Sequence, residues 1–333
     1  MICKSCKKEL NTTNTYASDH RYCITCGAEH ITYLSERKQT LLSLREMNLE
    51  SKIIQTKHLI KEAVQEFGLD KVYISYSGGK DSTILSHIAK SLYPDILHLF
   101  ANTTNEYPET IQHIKWEKEK NDTNIITVLP IDCHGELWTF KKVVERYGYP
   151  MFSKRVSNAI RTYQHALSER TKQNSQNYID RNFKKYDKFK ELPISDKCCD
   201  KLKKEPLRRK AKELGLKCAI LGTLASESYQ REKDWLEHGC NVFHERKDNQ
   251  SRPLSFWTDT DTLEYISKYK VKISKLYDMG YNRNGCMYCG FGVHLEPSHC
   301  NRYQKLKHTH PAQYTYFLNN FGHLMQEFEI DIT

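Results

Sequence analysis

The stretch that most constrains this chain is Val72 to Ser82, which reads V-Y-I-S-Y-S-G-G-K-D-S. Val72, Tyr73, Ile74 and Tyr76 favour a strand, and Thr83-Ile84-Leu85 with Ile88-Ala89 follow at helical spacing, so the segment predicts strand, glycine turn, helix. The two glycines let the backbone turn sharply and approach a ligand closely. The N–H groups of the first helical turn then point at any anion placed there. Ser77, Ser82 and Thr83 add hydroxyl donors, Lys80 adds a cation, and Asp81 adds a carboxylate suited to magnesium. The stretch reads as a phosphate cradle.

The cradle is not the G-x-x-x-x-G-K-[ST] loop, because Asp81 follows the lysine where that loop needs Ser or Thr. Ser77 to Ser82 instead match the whole S-G-G-x-D-S signature of the PP-loop ATP pyrophosphatases, which the chain resembles. That resemblance implies binding of ATP with Mg2+ and cleavage between its α and β phosphates, usually leaving an adenylated intermediate. It implies nucleotide contacts from Ser77, Gly78, Gly79, Lys80, Asp81 and Ser82, with Lys80 and Asp81 serving catalysis.

With 333 residues the chain is long enough for a large domain carrying one or two small attachments, and 38% hydrophobic with 28% charged residues is a globular composition on the polar side. No apolar run is long enough to span a membrane and Met1-Ile2-Cys3-Lys4 opens no signal-peptide core, so the expected location is cytoplasmic. The net charge of +10 is unevenly spread: from Lys141 to Lys217 there are 22 Lys or Arg against 9 Asp or Glu, leaving the rest at −3. Such a block suits a polyanionic partner, tRNA or DNA, or a strongly anionic small substrate; a solvated lysine-rich helical insertion is the bland alternative.

Twelve cysteines with no secretory signal argue for metal or redox chemistry over disulfides. Cys3-x-x-Cys6 and Cys23-x-x-Cys26, 16 residues apart, suit a tetrahedral zinc ion in a segment too poor in apolar mass to fold without one. A second set pairs Cys198-Cys199 with Cys286-x-x-Cys289. If the fold gathers them, thiolates select zinc or an iron-sulfur cluster, and adjacent cysteines strain a small tetrahedral site more than a cubane. Cys133, Cys218 and Cys240 read as buried structural thiols.

Along the chain, Tyr33 to Phe67 repeats apolar residues with helical period, ending at Gly68. Asp95 to Ala101 and Asn124 to Leu129 read as further buried strands. Strands alternating with helices predict a parallel sheet with ligands at the C-terminal strand ends. Asn102 to Thr110 resembles the D-T-G-x-x-F-P-E-T turn of the phosphoadenylyl sulfate (PAPS) reductase branch of the superfamily, with Asn102-Thr103-Thr104 in place of Asp-Thr-Gly. Tyr147 to Lys154 resembles a loop near the nucleotide or substrate in that branch. Gly222 to Ser228 with Arg231 resembles its G-x-R-x-x-E-S-x-x-R segment, with Leu224 in place of an arginine, and Arg231 is a candidate nucleotide contact. Arg252-Pro253-Leu254, Trp257-Thr258 and Asp261 resemble its P-L-x-x-W-T-x-x-D segment, with Thr258 or Asp259 as helix N-cap.

The C-C and C-x-x-C pair resembles the cluster-binding cysteines of assimilatory adenylyl sulfate reductases, which implies a [4Fe-4S] cluster on Cys198, Cys199, Cys286 and Cys289. The stretch from Phe291 to Pro311 resembles phage- and mobile-element-encoded members. The terminal E-C-G-L-H of the sulfur-assimilation reductases has no counterpart, since Gly322 to Glu327 lacks cysteine, and Cys300 is the only late candidate nucleophile.

These resemblances imply an α/β adenine nucleotide alpha hydrolase-like sandwich with a parallel sheet, preceded by a small zinc ribbon. The expected layout is a ribbon at 1–32, a reductase-like domain at 33–311 with a basic insertion at 156–195 and a cysteine region at 196–300, and a tail at 312–333. Two enzymes compete. One adenylates an acceptor for sulfur transfer, with a sulfur donor protein as a further partner, as in the DNA phosphorothioation and tRNA thiolation sulfurtransferases that the chain resembles. The other is a PAPS reductase releasing sulfite. A non-catalytic nucleic-acid-binding regulator is the third reading.

Overall fold

Val72–Tyr76 forms the strand its residues predict, with Val72, Ile74 and Tyr76 buried and the residues between them half-exposed. The computed structural model describes residues 2–332 apart from 12, 18 and 244–247. The chain divides into two α/β units. One comprises Met1–Ser75, Asp81–Ile96 and Lys217–Lys272; the other comprises Tyr76–Lys80, Leu97–Leu216 and Ile273–Thr333.

In the first unit Val72–Tyr76 runs parallel to Cys218–Leu221, with Val72 opposite Cys218 and Ile74 opposite Ile220. Cys218–Leu221 in turn runs parallel to Asn249–Ser251, and Asn241–Val242 closes the edge antiparallel. The segment from Pro253 to Asp261 is scaffold here. Thr258 caps helix Asp259–Tyr269, and the Asp261 carboxylate accepts from the Thr258 amide and receives the Lys52 ammonium at 2.7 Å, with both side chains largely buried. Trp257 Nε1 donates to Thr56 Oγ1 at 3.0 Å, which joins the same segment to helix Leu49–Phe67. The expected helical stretch from Tyr33 to Phe67 is two helices. Ile24–Glu46 begins earlier than the apolar pattern and lies on Tyr229–His238, with Arg37 stacked 4.6 Å over Trp235 and Arg45 3.0 Å from Glu232.

In the second unit His98–Ala101 and Ile125–Val128 pair in parallel. The former starts later than Asp95 because Ile96 N–H closes a turn onto the Tyr93 carbonyl. Helix Pro108–Glu119 starts on Pro-Glu-Thr, with the proline in the first turn where its missing N–H costs nothing. The basic stretch yields helices Lys154–Gln164 and Glu169–Phe183, which bury Ile160 and Ile179 and turn their polar faces outward. An aromatic core including Tyr149, Phe152, Phe189, Tyr303, Phe317, Phe321 and Phe328 holds the unit together. On that core Met151–Phe152 pairs in parallel with Gly290–Phe291, and helix Pro311–Glu327 buries Phe317, Phe321 and Met325. The alternation of strands and helices thus gives the α/β class and mostly parallel strands that the sequence predicts. Among the described residues no helix is long and apolar enough to cross a membrane.

Candidate functional site

The glycine turn connects the strand to helix Lys80–Lys90, and of its two glycines Gly78 is the one the backbone requires. Gly78 has φ +71°, and a Cβ there would stand 3.1 Å from Ile114 Cδ1 and 3.2 Å from Thr110 Cγ2. Gly79 donates its N–H to Ser77 Oγ at 3.4 Å, and the Lys80 N–H, the first of the helix, donates to the Tyr277 hydroxyl at 2.9 Å. A hydroxyl oxygen therefore already stands at the helix N-terminus, where an anion is favoured. In the first unit Gly222 approaches the start of the same helix: a Cβ there would lie 3.0 Å from the backbone of Asp81 and Ser82.

Asn284 ties this turn to the second cysteine motif. Its Nδ2 donates to the Ser77 carbonyl at 3.3 Å and its Oδ1 accepts from Thr110 Oγ1 at 2.8 Å, and Asn284 stands two residues before Cys286. The Asn102–Thr110 turn grips the same motif. Met287 N–H donates to the Asn105 carbonyl at 2.7 Å and Tyr288 N–H to Asn105 Oδ1 at 3.3 Å. Thr103 Oγ1 lies 3.8 Å from Cys286 Sγ and donates to Glu106 Oε1 at 2.6 Å. Burial raises the Glu106 carboxyl above its usual range despite that bond. Beyond Cys289, Gly290 leaves room for a close crossing, since a Cβ would stand 2.6 Å from the Pro150 carbonyl oxygen.

Cys198, Cys199, Cys286 and Cys289 come together in the second unit, close enough for each to feel the charge of others. Cys198 and Cys199 Sγ are 3.9 Å apart. The Cys198 thiol donates to Cys199 and, with Lys154, Lys203 and Lys204 nearby, lowers it to about 6; burial pushes Cys286 up to about 12. At the other end of the chain, Cys3, Cys6, Cys23 and Cys26 place their sulfurs within 4.8 Å of one another. Cys6 and Cys23 are 3.8 Å apart, and a tetrahedral zinc ion with bonds of about 2.3 Å sets sulfurs about 3.8 Å apart. Burial raises the Cys3 thiol, but the amides of Cys23, Cys6 and Ser5 aimed at its sulfur offset this and bring it to about 6. Helix Ile24–Glu46 starts inside the second knuckle, and Gly27 makes room for the Tyr16 ring. Among the described residues, the N-terminal set alone gathers three or more such ligand atoms within 4.8 Å.

Arg231 lies in the first unit and is ion-paired with Glu227. Cys300 is exposed in the turn before helix Arg302–Thr309. Of the three cysteines read as structural, Cys218 is buried on the sheet, and Cys240 Sγ accepts from Trp235 Nε1 and Ser255 Oγ. Cys133 is corrected: it is exposed, because the Asp132 carboxylate caps the amides of His134 and Glu136 and turns the loop outward. Thr110 closes the Pro-Glu-Thr motif, whereas motif reading assigns Tyr277 and Asn284 no role at the site.

Residues 71–166 and 149–290 match the model of the phosphoadenosine phosphosulfate reductase domain. The chain belongs to this family. It is therefore a member of the PP-loop superfamily whose signature Ser77 to Ser82 carry. An uncharacterized protein of Methanocaldococcus jannaschii is 23% identical over 222 residues, 67% of this chain and 42% of its own length, so the chain spans less than half of that curated relative. Among solved structures, a Candida auris phosphoadenylyl-sulfate reductase in a phosphate complex aligns at 16% identity and TM-score 0.44, over 75% of this chain and 93% of that one. Candida glabrata FMN adenylyltransferase in complex with ATP aligns at 12% identity and TM-score 0.41, over 77% of this chain and 70% of that one.

Proposed function

We propose that the enzyme splits ATP into AMP and pyrophosphate to adenylate an acceptor for sulfur transfer to a nucleic acid, in the manner of phage- or mobile-element-type family members. The observation that carries this reading is Asn284, which joins the glycine turn to the C-x-x-C motif and so ties the nucleotide loop to a cysteine set. An oxygen of the acceptor attacks the α-phosphorus, the bond from that phosphorus to the bridging oxygen breaks, and pyrophosphate leaves. The amides of Gly78 and Gly79 with the Ser77 and Ser82 hydroxyls hold the departing pyrophosphate, Lys80 neutralises its charge, and Asp81 orients magnesium. The Tyr277 hydroxyl accepts from the Lys80 N–H and so helps to fix the start of the helix behind the turn. A sulfur nucleophile brought by a donor then displaces AMP from the acceptor. The Arg231 guanidinium is already engaged by Glu227, so the nucleotide role rests chiefly on the loop.

The donor set of Cys198, Cys199, Cys286 and Cys289 fits a [4Fe-4S] cluster. Cys198 and Cys199 hold their sulfurs 3.9 Å apart, no three of the four sulfurs lie within 4.8 Å of one another, and all four share one region of the second unit. When bound, such a group supplies electron transfer or a Lewis-acidic iron. Cys3, Cys6, Cys23 and Cys26 fit a closed structural zinc site. On this reading residues 1–32 are the zinc module, 33–311 the family domain with the basic insertion at 156–195, and 312–333 its C-terminal tail, in a cytoplasmic protein.

The PAPS reductase reading, with sulfite as product and Cys300 as nucleophile, draws its support from the family alone. Anaerobically purified protein offered labelled ATP with nucleic acid and a sulfide donor, or PAPS with a thiol, separates the two. Pyrophosphate with AMP is the expected product; sulfite from PAPS with no pyrophosphate from ATP would overturn the proposal. Asp81→Ala turning over ATP at the parental rate would remove the magnesium role.

A further inference from the structure

A cleft of about 390 Å³ in the second unit lies outside the glycine turn and the cysteine set, in the size range of small-ligand sites. One wall is aromatic: the Trp138 and Tyr147 rings, half-buried, sit with centroids 6.0 Å apart at 46°. The Arg146 guanidinium stands 5.7 Å from the centre of each ring. Arg209 also lines the cleft. Among the described residues neither Arg146 nor Arg209 has a carboxylate within ion-pair distance, and both are exposed.

The acids that share the cleft are already engaged. Asp132 accepts from the amides of His134 and Glu136, which hold its carboxyl below the usual range, and Glu205 takes the Lys201 ammonium at 2.9 Å. Flat rings beside two uncompensated guanidinia select a ligand that is both planar and anionic, since arginine stacks on aromatic planes and pairs with phosphate.

A second cleft of about 310 Å³ borders the start of the same helix, Phe140–Tyr147, and repeats this chemistry with Lys141 and the stacked rings of Tyr288 and Tyr316, 5.7 Å apart. Lys203 and Arg208, on the segment that carries Arg209, are also exposed. Two ring-and-cation clefts on one helix, whose cations Lys141, Arg146 and Arg209 come from the block with 22 Lys or Arg against 9 Asp or Glu, match successive units of a strand better than one free nucleotide.

We infer that these clefts form a single-stranded nucleic-acid track, in which the first takes one nucleotide with its base against Trp138 and Tyr147 and its phosphate against Arg146 and Arg209. The inference stands on binding chemistry alone and does not require the sulfur-transfer reaction.

The test is fluorescence anisotropy of a short labelled oligothymidylate with the full chain, without ATP or sulfur donor, across a salt series. The oligonucleotide is expected to bind and to quench Trp138 emission, identified by its loss in Trp138→Phe. Trp138→Ala is expected to weaken binding roughly 5- to 150-fold, while Trp138→Phe retains most of the affinity. Arg146→Gln and Arg209→Gln, both at exposed positions where folding is not at stake, should each lower the slope of log affinity against log salt by about 0.7. Lys61→Gln, on helix Leu49–Phe67, should change nothing. Parental affinity and slope in both arginine variants would overturn the site. Thymidine monophosphate binding as tightly as the oligonucleotide would overturn the strand and assign the cleft to a free nucleotide. Loss of ATP turnover in some other variant, with this binding intact, would leave the inference standing.

Discussion

Asn284→Ala removes two hydrogen bonds at once, from Nδ2 to the Ser77 carbonyl (3.3 Å) and from Thr110 Oγ1 to Oδ1 (2.8 Å). Bonds of this kind contribute about 0.5–1.5 kcal/mol each, so the turn would lose about 1–3 kcal/mol of restraint. If that restraint is expressed in the transition state, kcat/KM for ATP falls roughly 5- to 150-fold. Asn284→Asp separates the two bonds. A carboxylate still accepts from Thr110 but loses the donor to Ser77 and faces its carbonyl with a like partial charge. It should therefore match or exceed the alanine variant in lost turnover while losing less resistance to urea. The assay is initial pyrophosphate release against ATP concentration, beside urea unfolding of each variant. Parental kcat/KM and parental unfolding midpoints in both variants would refute the claim that Asn284 positions the turn.

Gly78→Ala should destabilise the protein by at least about 1–2 kcal/mol, because a Cβ at φ +71° is strained and meets Ile114 and Thr110; urea unfolding reads the loss. Lys52→Ala leaves the Asp261 carboxylate without its cation in a largely buried position, and a loss of about 3–5 kcal/mol is expected by the same measurement. His294, whose Nε2 meets the Tyr186 hydroxyl at 2.8 Å, is held below its usual range by burial and by the nearby Lys185 charge. The unfolded chain therefore takes up this proton first as pH falls through about 6.5, and stability declines below that pH. Urea midpoints between about pH 7.5 and 5.5 should fall more steeply in the parent than in His294→Gln.

The elements written in local chemistry were legible in the sequence. Two glycines after alternating β-favouring residues give the turn, Pro108 marks a helix start, and Cys3, Cys6, Cys23 and Cys26 have a spacing that only a gathered site explains. The residues that join the site were not legible. Tyr277 is 197 positions from the Lys80 amide it receives, and Asn284 is 207 from Ser77, and neither residue type nor spacing marks a contact of that range. The Pro253 to Asp261 segment shows the opposite failure. Its residues stand out as a motif, yet Trp257 donates a core hydrogen bond to Thr56 and Asp261 takes a buried ion pair with Lys52. Cys133 was misread because burial of a thiol depends on how its loop is capped, and Asp132 turns this one outward.

The central claim is that the nucleotide turn and the cysteine set of Cys198, Cys199, Cys286 and Cys289 act as one site. Its most direct test is the iron content and the visible and EPR spectra of anaerobically reconstituted protein, recorded as ATP with magnesium is titrated in. The expected result is about four irons per chain, lost on Cys286→Ser, with spectra that shift as ATP saturates and cease to shift in Asn284→Ala. Protein that takes up no iron, or iron whose spectra are indifferent to saturating ATP, would contradict the claim.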